Sequence, residues 1–356
     1  MTALRVVVVG LGTMGVSHAL AYLNDPGFEL AGLVNRSAVP LPPALAGLPV
    51  RRDFRAALEE FRPDVAAICT HTDSHAAYAV MALEMGLHVF VEKPLAVSVA
   101  EAERVAEAAR ANGRKLVVGY ILRQHPSWIR LIAEARALGG PFVFRMNLNQ
   151  QSAGRNWEVH KKLMRTTSPL VDCGLHYLDV MCQITDARPV EVRGMGLRLS
   201  GDIAPGMYNY GHLQLLFDDG SVGWYEAGWG PMMSETAFFV KDVISPNGSV
   251  SIVMDHNAQS ADINTHTRTA TIRVHRARLR ADGGFAEADS LLDMQDEPGH
   301  QELCNREQAF FHDAIVNDRD LTRHVADAIS SLRLALAADE SVRSGKPIML
   351  NQGNEA

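Results

Sequence analysis

Three side chains combine a reactive type with a usable spacing: Lys93, Asp172 and His176. Lys93 lies in "VFVEKPLA" (residues 89–96), where an apolar run stops at Glu92 and Lys93 and is closed by Pro94. An ammonium there is either the solvated end of a surface strand or a cation aimed at a ligand, where it stabilises negative charge growing on oxygen. Asp172 and His176 stand four apart in "SPLVDCGLHYLDVMCQI", whose apolar residues predict a largely buried helix. Positions i and i+4 share one helical face. Two polar groups on a buried helix either satisfy each other or face a site. Histidine suits general-base work because its ordinary pKa lies near neutrality, and a carboxylate can orient it. No third ligand at regular spacing accompanies the pair, so no metal is expected.

A second constellation is "RVVVVGLGTMGVSHALAYL". A β-branched run enters Gly10-Leu11-Gly12-Thr13-Met14-Gly15 and continues into a helix-like pattern. In G-x-G-x-x-G the first glycine makes the tight turn, the second admits a pyrophosphate to the backbone, and the third lets helix pack on strand. The free N–H groups of the helix then face the phosphates. The next strand, "FELAGLVN", ends at Asn35, Arg36 and Ser37. An acid there would bond ribose hydroxyls and favour NAD. None is present, and a guanidinium suits a 2′-phosphate, so NADP is expected ahead of NAD unless Arg36 is a solvated loop residue.

The elements that must position these groups alternate. Helix "DFRAALEEF", strand "DVAAIC", helix "AAYAVMALEMG", strand "HVFVEKPLA", helix "SVAEAERVAEAARANG" capped by Ser98, and strand "KLVVGY" follow in turn. Repeated βα units with apolar strands predict a parallel sheet covered on both faces, with ligands at its carboxyl edge. Thr70, His71, Glu92, Lys93 and Tyr120 fall at such strand ends. From about Pro189 the pattern changes to strands joined by "DDGS" and "PNGS", which predicts an antiparallel sheet. Trp224, Tyr225, Trp229, Phe238 and Phe239 give that sheet much to bury, so one face is expected to form a homo-oligomer interface.

Four segments in this order resemble the glucose–fructose oxidoreductase / inositol dehydrogenase (Gfo/Idh/MocA) family: "GLGTMG", "THTDSH", "EKPLA" and "LVDCGLHYLD". The closing "NREQAFFHDAIV" and "DAISSLRLALAADESVRSGKPI" resemble its last helices. The resemblance implies an α/β Rossmann domain (residues 1–122) and an α+β domain with a large, mostly antiparallel open sheet (123–356). Helices at about 300–345 would pack back on the first domain. It implies NAD(P)-dependent oxidation of a hydroxyl on a sugar, polyol or derivative, with Lys93, Asp172 and His176 converging beside the nicotinamide. His176 would take the proton, Lys93 would polarise the oxygen, and Asp172 would orient His176 or substrate. Thr70, His71, His75, Glu92, Lys93, Pro94 and Arg123 are expected at the cofactor, and Tyr120, Asn156 and Trp157 at the substrate. Family members often carry Gly-Gly shortly before the aspartate; here Thr167-Ser168-Pro169 stand instead.

The 356 residues suit two domains, and 47% hydrophobic with 21% charged residues suits real cores. A net charge of −7 argues against nucleic acid or anionic membrane as partners. No apolar run is long enough to span a bilayer, and the N-terminal run is spent on the glycine motif, so a cytoplasmic protein is expected. The four cysteines form no C-x-x-C pair. The expected partners are a small sugar or polyol and further copies of the chain, as homodimer or homotetramer. Two other functions stay open. One is transient oxidation on a tightly held cofactor, as in epimerisation or glycoside cleavage; the other is a non-catalytic dinucleotide sensor.

Overall fold

The computed structural model describes residues 3–265 and 267–350. The chain opens with β1 (Leu4–Val9), α1 (Thr13–Asn24), β2 (Phe28–Val34), β3 (Val50–Arg51), α2 (Phe54–Phe61), β4 (Val65–Ile68) and α3 (His75–Glu84). It continues through β5 (His88–Glu92), α4 (Val99–Ala111), β6 (Leu116–Gly119), α5 (Pro126–Leu138), β7 (Val143–Gln151), α6 (Gly154–Leu163), α7 (Pro169–Asp172) and α8 (Gly174–Ile184). Then come β8 (Pro189–Leu197), β9 (Tyr210–Phe217), β10 (Val222–Gly230), β11 (Lys241–Ser245), β12 (Gly248–Met254), β13 (Thr269–Arg276) and β14 (Ser290–Asp293). The last elements are α9 (His300–Val316), α10 (Thr322–Ser344) and β15 (Ile348–Met349). Two compact units divide the chain. One takes residues up to Gln124 together with Pro298–Leu332; the other takes His125–Glu297 together with residues from Arg333 onward.

The first unit is a six-stranded parallel sheet in the order β3-β2-β1-β4-β5-β6. Strand order reverses between β1 and β4, and a reversal of this kind opens a crevice at the carboxyl ends. Val6–Val9 are at most 3% exposed, as a central parallel strand covered on both faces requires. Local signals place the helices. Asp53 caps α2 through the Ala56 N–H, and Ser98 caps α4 through the Glu101 N–H. α9 completes this core from far downstream. Phe311 is fully buried with Tyr22, Phe28 and Phe90, and the His312 ring meets Phe28 edge-on.

The second unit is a nine-stranded sheet, β14-β13-β12-β11-β7-β10-β9-β8-β15, antiparallel at every pair except β7–β10. One face is buried by α5, α7 and α8. Tyr225 of β10 stacks on Tyr177 of α8, and Tyr177 packs against Trp128 of α5. The other face is open. Val143, Val222 and Leu216 stand in one cross-strand row, each about 40% exposed, and Met195 and Leu197 of β8 exceed half exposure. Of the aromatic residues expected to need cover, Tyr225, Trp229 and Phe238 are buried within the chain, and Trp224 lies on the open face.

Residues Val143–Gln151, given no element from the sequence, form strand β7, in which Phe144, Met146 and Leu148 alternate with Arg145, Asn147 and Asn149. Residues Gly154–Leu163, likewise unassigned, form helix α6. The segment expected to be one helix is two: α7 ends at Asp172, and His176 N–H bonds the Cys173 carbonyl three residues back.

Glu297 closes a dry corner of the second unit. It accepts the Thr269 N–H (2.8 Å) and the Ser127 hydroxyl in the first turn of α5. Burial pushes its pKa up to about 7, from an ordinary 4.5. The unfolded chain therefore ionises Glu297 first, and stability is lost as pH rises from about 4.5 to 7. Glu297→Gln removes that loss. Its melting temperature should gain on wild type progressively across this window and hold the gain above it, as followed by thermal unfolding at a series of pH values.

Candidate active site

The first unit's carboxyl edge is built around the glycine turn. Gly10 adopts φ +90°, and a Cβ there would lie 2.5 Å from the Cys69 carbonyl oxygen. Gly15 is tighter, since its Cβ would lie 1.7 Å from the Gly10 carbonyl oxygen. Gly12 faces open space and heads α1 without a side-chain cap, which leaves first-turn N–H groups for a ligand. Thr13 is exposed and Met14 half-buried in that turn.

A cleft of about 230 Å³ opens here, lined by Gly10, Gly12, Asn35, Arg36, Ser37, Thr70 and His71. Leu11, Arg52, Ser74 and Tyr78 line it too, and sequence reading gave none of these a role. Arg52 was legible in principle: it follows β3, which pairs with the end of β2 beside Arg36. Asn35 acts as a strap. Its Oδ1 accepts the Leu11 N–H (3.0 Å), and its Nδ2 donates to the Ser37 carbonyl (2.7 Å). Thr70 and Ser74 share a hydroxyl–hydroxyl bond of 2.7 Å.

Several expected cofactor contacts face inward instead. Glu92 is 6% exposed, and its Oε1 receives the proton of His18 Nε2 at 2.7 Å. Its Oε2 accepts the Lys93 backbone N–H at 3.1 Å. Burial pushes the Glu92 pKa up, but the hydrogen bond from His18, helped by the Lys93 charge, outweighs it and holds the carboxyl below its usual range. Glu307 goes the other way, raised by burial and then by the Glu92 charge. His75 is 1% exposed, with Nδ1 2.7 Å from the Pro94 carbonyl oxygen and Nε2 3.0 Å from that of Thr70, and the neutral ring that burial favours donates one of these bonds, for which the shorter contact suits Nδ1. Pro94 is buried. Tyr120, expected at the substrate, is 2% exposed and gives its hydroxyl to Ser331 at 2.6 Å. Arg123 bonds His324 and lies over the Tyr120 ring. Lys93 itself is half-buried at the end of β5.

His18, Cys304 and Glu307 bring one potential metal ligand atom each within 4.8 Å of one another. His18 offers no lone pair there, because Nδ1 accepts from Gln308 (2.8 Å) while Nε2 serves Glu92. His18 is thereby committed to Glu92 and Gln308 rather than to a metal.

In the second unit, Asp172 and His176 are half-buried, while Leu170, Val171, Cys173, Leu175, Tyr177 and Leu178 around them are buried. Both polar groups therefore emerge on one side of the α7–α8 segment. His160 of α6 lies within reach of Asp172's charge, which favours its cation; burial dominates, and its pKa falls to about 4. The His160 ring stacks on Trp229 with centres 4.5 Å apart, and Nδ1 meets Ser152 Oγ at 2.9 Å. Trp229 Nε1 donates to Gln150. Here α6 presents His160, whereas Trp157 is 8% exposed beneath the Lys161 ammonium, and Asn156 is an exposed surface residue. The second unit thus offers a polar surface of Asp172, His176 and His160, and the first a phosphate-ready cleft at the glycine turn and, at the end of β5, Lys93.

Comparison with known proteins places the chain. Residues 4–120 match the family described as "Oxidoreductase family, NAD-binding Rossmann fold", and residues 128–240 match the "GFO/IDH/MocA C-terminal domain". The NAD(+)-dependent scyllo-inositol 2-dehydrogenase of Bacillus subtilis (strain 168) is 25% identical over 362 residues, covering 98% of this chain and 96% of that protein. Inositol 2-dehydrogenase of Acidothermus cellulolyticus is 34% identical over 152 residues, 41% of this chain and 42% of that one. The crystal structure of myo-inositol 2-dehydrogenase from Lactobacillus plantarum superposes with a TM-score of 0.78 at 20% identity, covering 98% of this chain and all of that one, and so shares the fold. Among the described residues, no helix is long and apolar enough to cross a membrane.

The two glycines separate stability from binding. Gly15→Ala should lower the urea midpoint by the equivalent of about 1–3 kcal/mol, the ordinary cost of overpacking. Gly12→Ala should leave the midpoint unchanged and weaken dinucleotide binding, as measured by fluorescence titration.

Proposed function

We infer the reaction from one premise: the chain belongs to the GFO/IDH/MocA family of NAD-binding oxidoreductases. It is a nicotinamide-dependent dehydrogenase that moves a hydride between cofactor and a CH–OH carbon of a sugar or polyol. The observation that carries this reading is the pair Asp172 and His176, half-buried on a segment whose apolar residues are buried, in a chain whose strand β5 runs directly into Lys93. The inositol dehydrogenases among its relatives support the substrate class.

In this reading the nicotinamide supplies the hydride acceptor. Lys93 holds the hydroxyl oxygen and stabilises charge developing on it. His176 takes the proton, and Asp172 orients the imidazole or a neighbouring hydroxyl. At the other end of the cofactor, Arg36 and Arg52 line the cleft and no acid stands at positions 35–37, which supports NADP ahead of NAD. The open face of the second unit's sheet, where Val143, Leu216, Val222, Met195 and Leu197 stand exposed among charged residues, supports assembly into a dimer or tetramer.

The test is a panel of inositols, sugars and sugar acids with NAD and NADP side by side. Lys93→Ala and His176→Ala should each lower kcat/KM by about 10²–10⁴-fold with cofactor still bound. Near wild-type values in both would overturn the assignment. Arg36→Ala should cut the NADP-to-NAD preference about tenfold or more, the loss expected for a charge-assisted bond. Sedimentation at micromolar concentration should show an oligomer that Val222→Asp converts to monomer; a monomeric wild type would contradict the interface.

A further inference from the structure

The peptide that carries Lys93 is held from both sides by histidines that reach no ligand. On the N-terminal side, Gln308 of α9 donates to His18 Nδ1 (2.8 Å), which leaves the His18 proton on Nε2. That N–H bonds Glu92 Oε1 at 2.7 Å, and Glu92 Oε2 accepts the Lys93 backbone N–H. On the C-terminal side, His75 Nδ1 bonds the Pro94 carbonyl at 2.7 Å, and Nε2 meets the Thr70 carbonyl at the end of β4. His18 and His75 are 0% and 1% exposed, so neither touches a substrate or cofactor.

We infer that His18 and His75 are positioning residues for Lys93: one fixes the residue before it through Glu92, the other fixes the residue after it. This rests on the role proposed above for Lys93. Both bonds act on backbone or on a side chain locked to backbone, so together they set the direction in which the lysine leaves β5. A reacting group displaced by about 1 Å costs on the order of 10²-fold in rate.

The two imidazoles use different nitrogens, and amide side chains can copy each. Glutamine places its NH₂ near the Nε2 position and asparagine near Nδ1. The full-length protein is compared as His18→Leu, His18→Gln, His18→Asn, His75→Leu, His75→Asn and His75→Gln, with Lys93→Ala alongside. Turnover is measured on the best substrate of the panel, cofactor binding by fluorescence titration, and exchange of the Lys93 amide by mass spectrometry. The leucine variants should lose about 10–100-fold in kcat, keep cofactor affinity, and, for His18→Leu, lose protection at the Lys93 amide. His18→Gln and His75→Asn should restore most of kcat, while His18→Asn and His75→Gln should not.

Equal kcat for Gln and Asn at each position would overturn the inference, even if a leucine variant does not fold. So would loss of cofactor affinity in step with kcat. Unchanged turnover in Lys93→Ala would instead overturn the role of Lys93. An inactive Lys93→Ala beside fully active histidine variants would overturn the positioning alone.

Discussion

The first unit's ligand edge depends on one buried bond, His18 to Glu92. A carboxylate with 6% exposure at the end of a central strand is costly unless it is paired. His18 meets that cost and does so in a single tautomer, because Gln308 occupies its other nitrogen. With Gln308 it joins three elements far apart in sequence: α1, just after the glycine turn; β5, which runs into Lys93; and α9. It also sets the nearby carboxyls apart, since the His18 bond lowers the Glu92 pKa while burial and the Glu92 charge raise that of Glu307.

The second unit meets a different constraint. A nine-stranded sheet can bury one face against α5, α7 and α8, and the other is left to solvent or to a partner. Tyr177 shows how the helical layer is tied down, stacked on Tyr225 and packed on Trp128. Anchored this way, the α7–α8 segment exposes Asp172 and His176 while burying nearly everything between and around them. His160 lies flat against Trp229, and burial lowers its pKa to about 4.

Local signals made much of this legible in the sequence. The glycine spacing marks a turn that cannot accept a Cβ at Gly10 or Gly15, and apolar strands alternating with capped helices mark a parallel sheet. Hairpin glycines mark the antiparallel sheet. What stayed hidden depends on distant partners. His18 reads as one polar residue in an apolar helix until Glu92 and Gln308 come to it. His75 and Tyr120 sit next to strand ends, as ligand contacts would, yet their bonds run to Pro94, Thr70 and Ser331. β7 alternates Phe144, Met146 and Leu148 with polar residues, but two of those polar residues are buried and bonded across the sheet, Asn147 to Ala237 and Val240, and Asn149 to Glu226. Arg52 enters the cleft only because a two-residue strand, β3, pairs beside β2.

The central claim is that this chain moves a hydride from a carbinol carbon to a nicotinamide. The most direct measurement is to incubate it with polyols deuterated at their carbinol carbons and weigh the reduced nicotinamide. The account predicts one deuterium atom, transferred as deuteride, in the reduced nicotinamide ring. Reduced cofactor without the label, or deuterium recovered only in water, would contradict it.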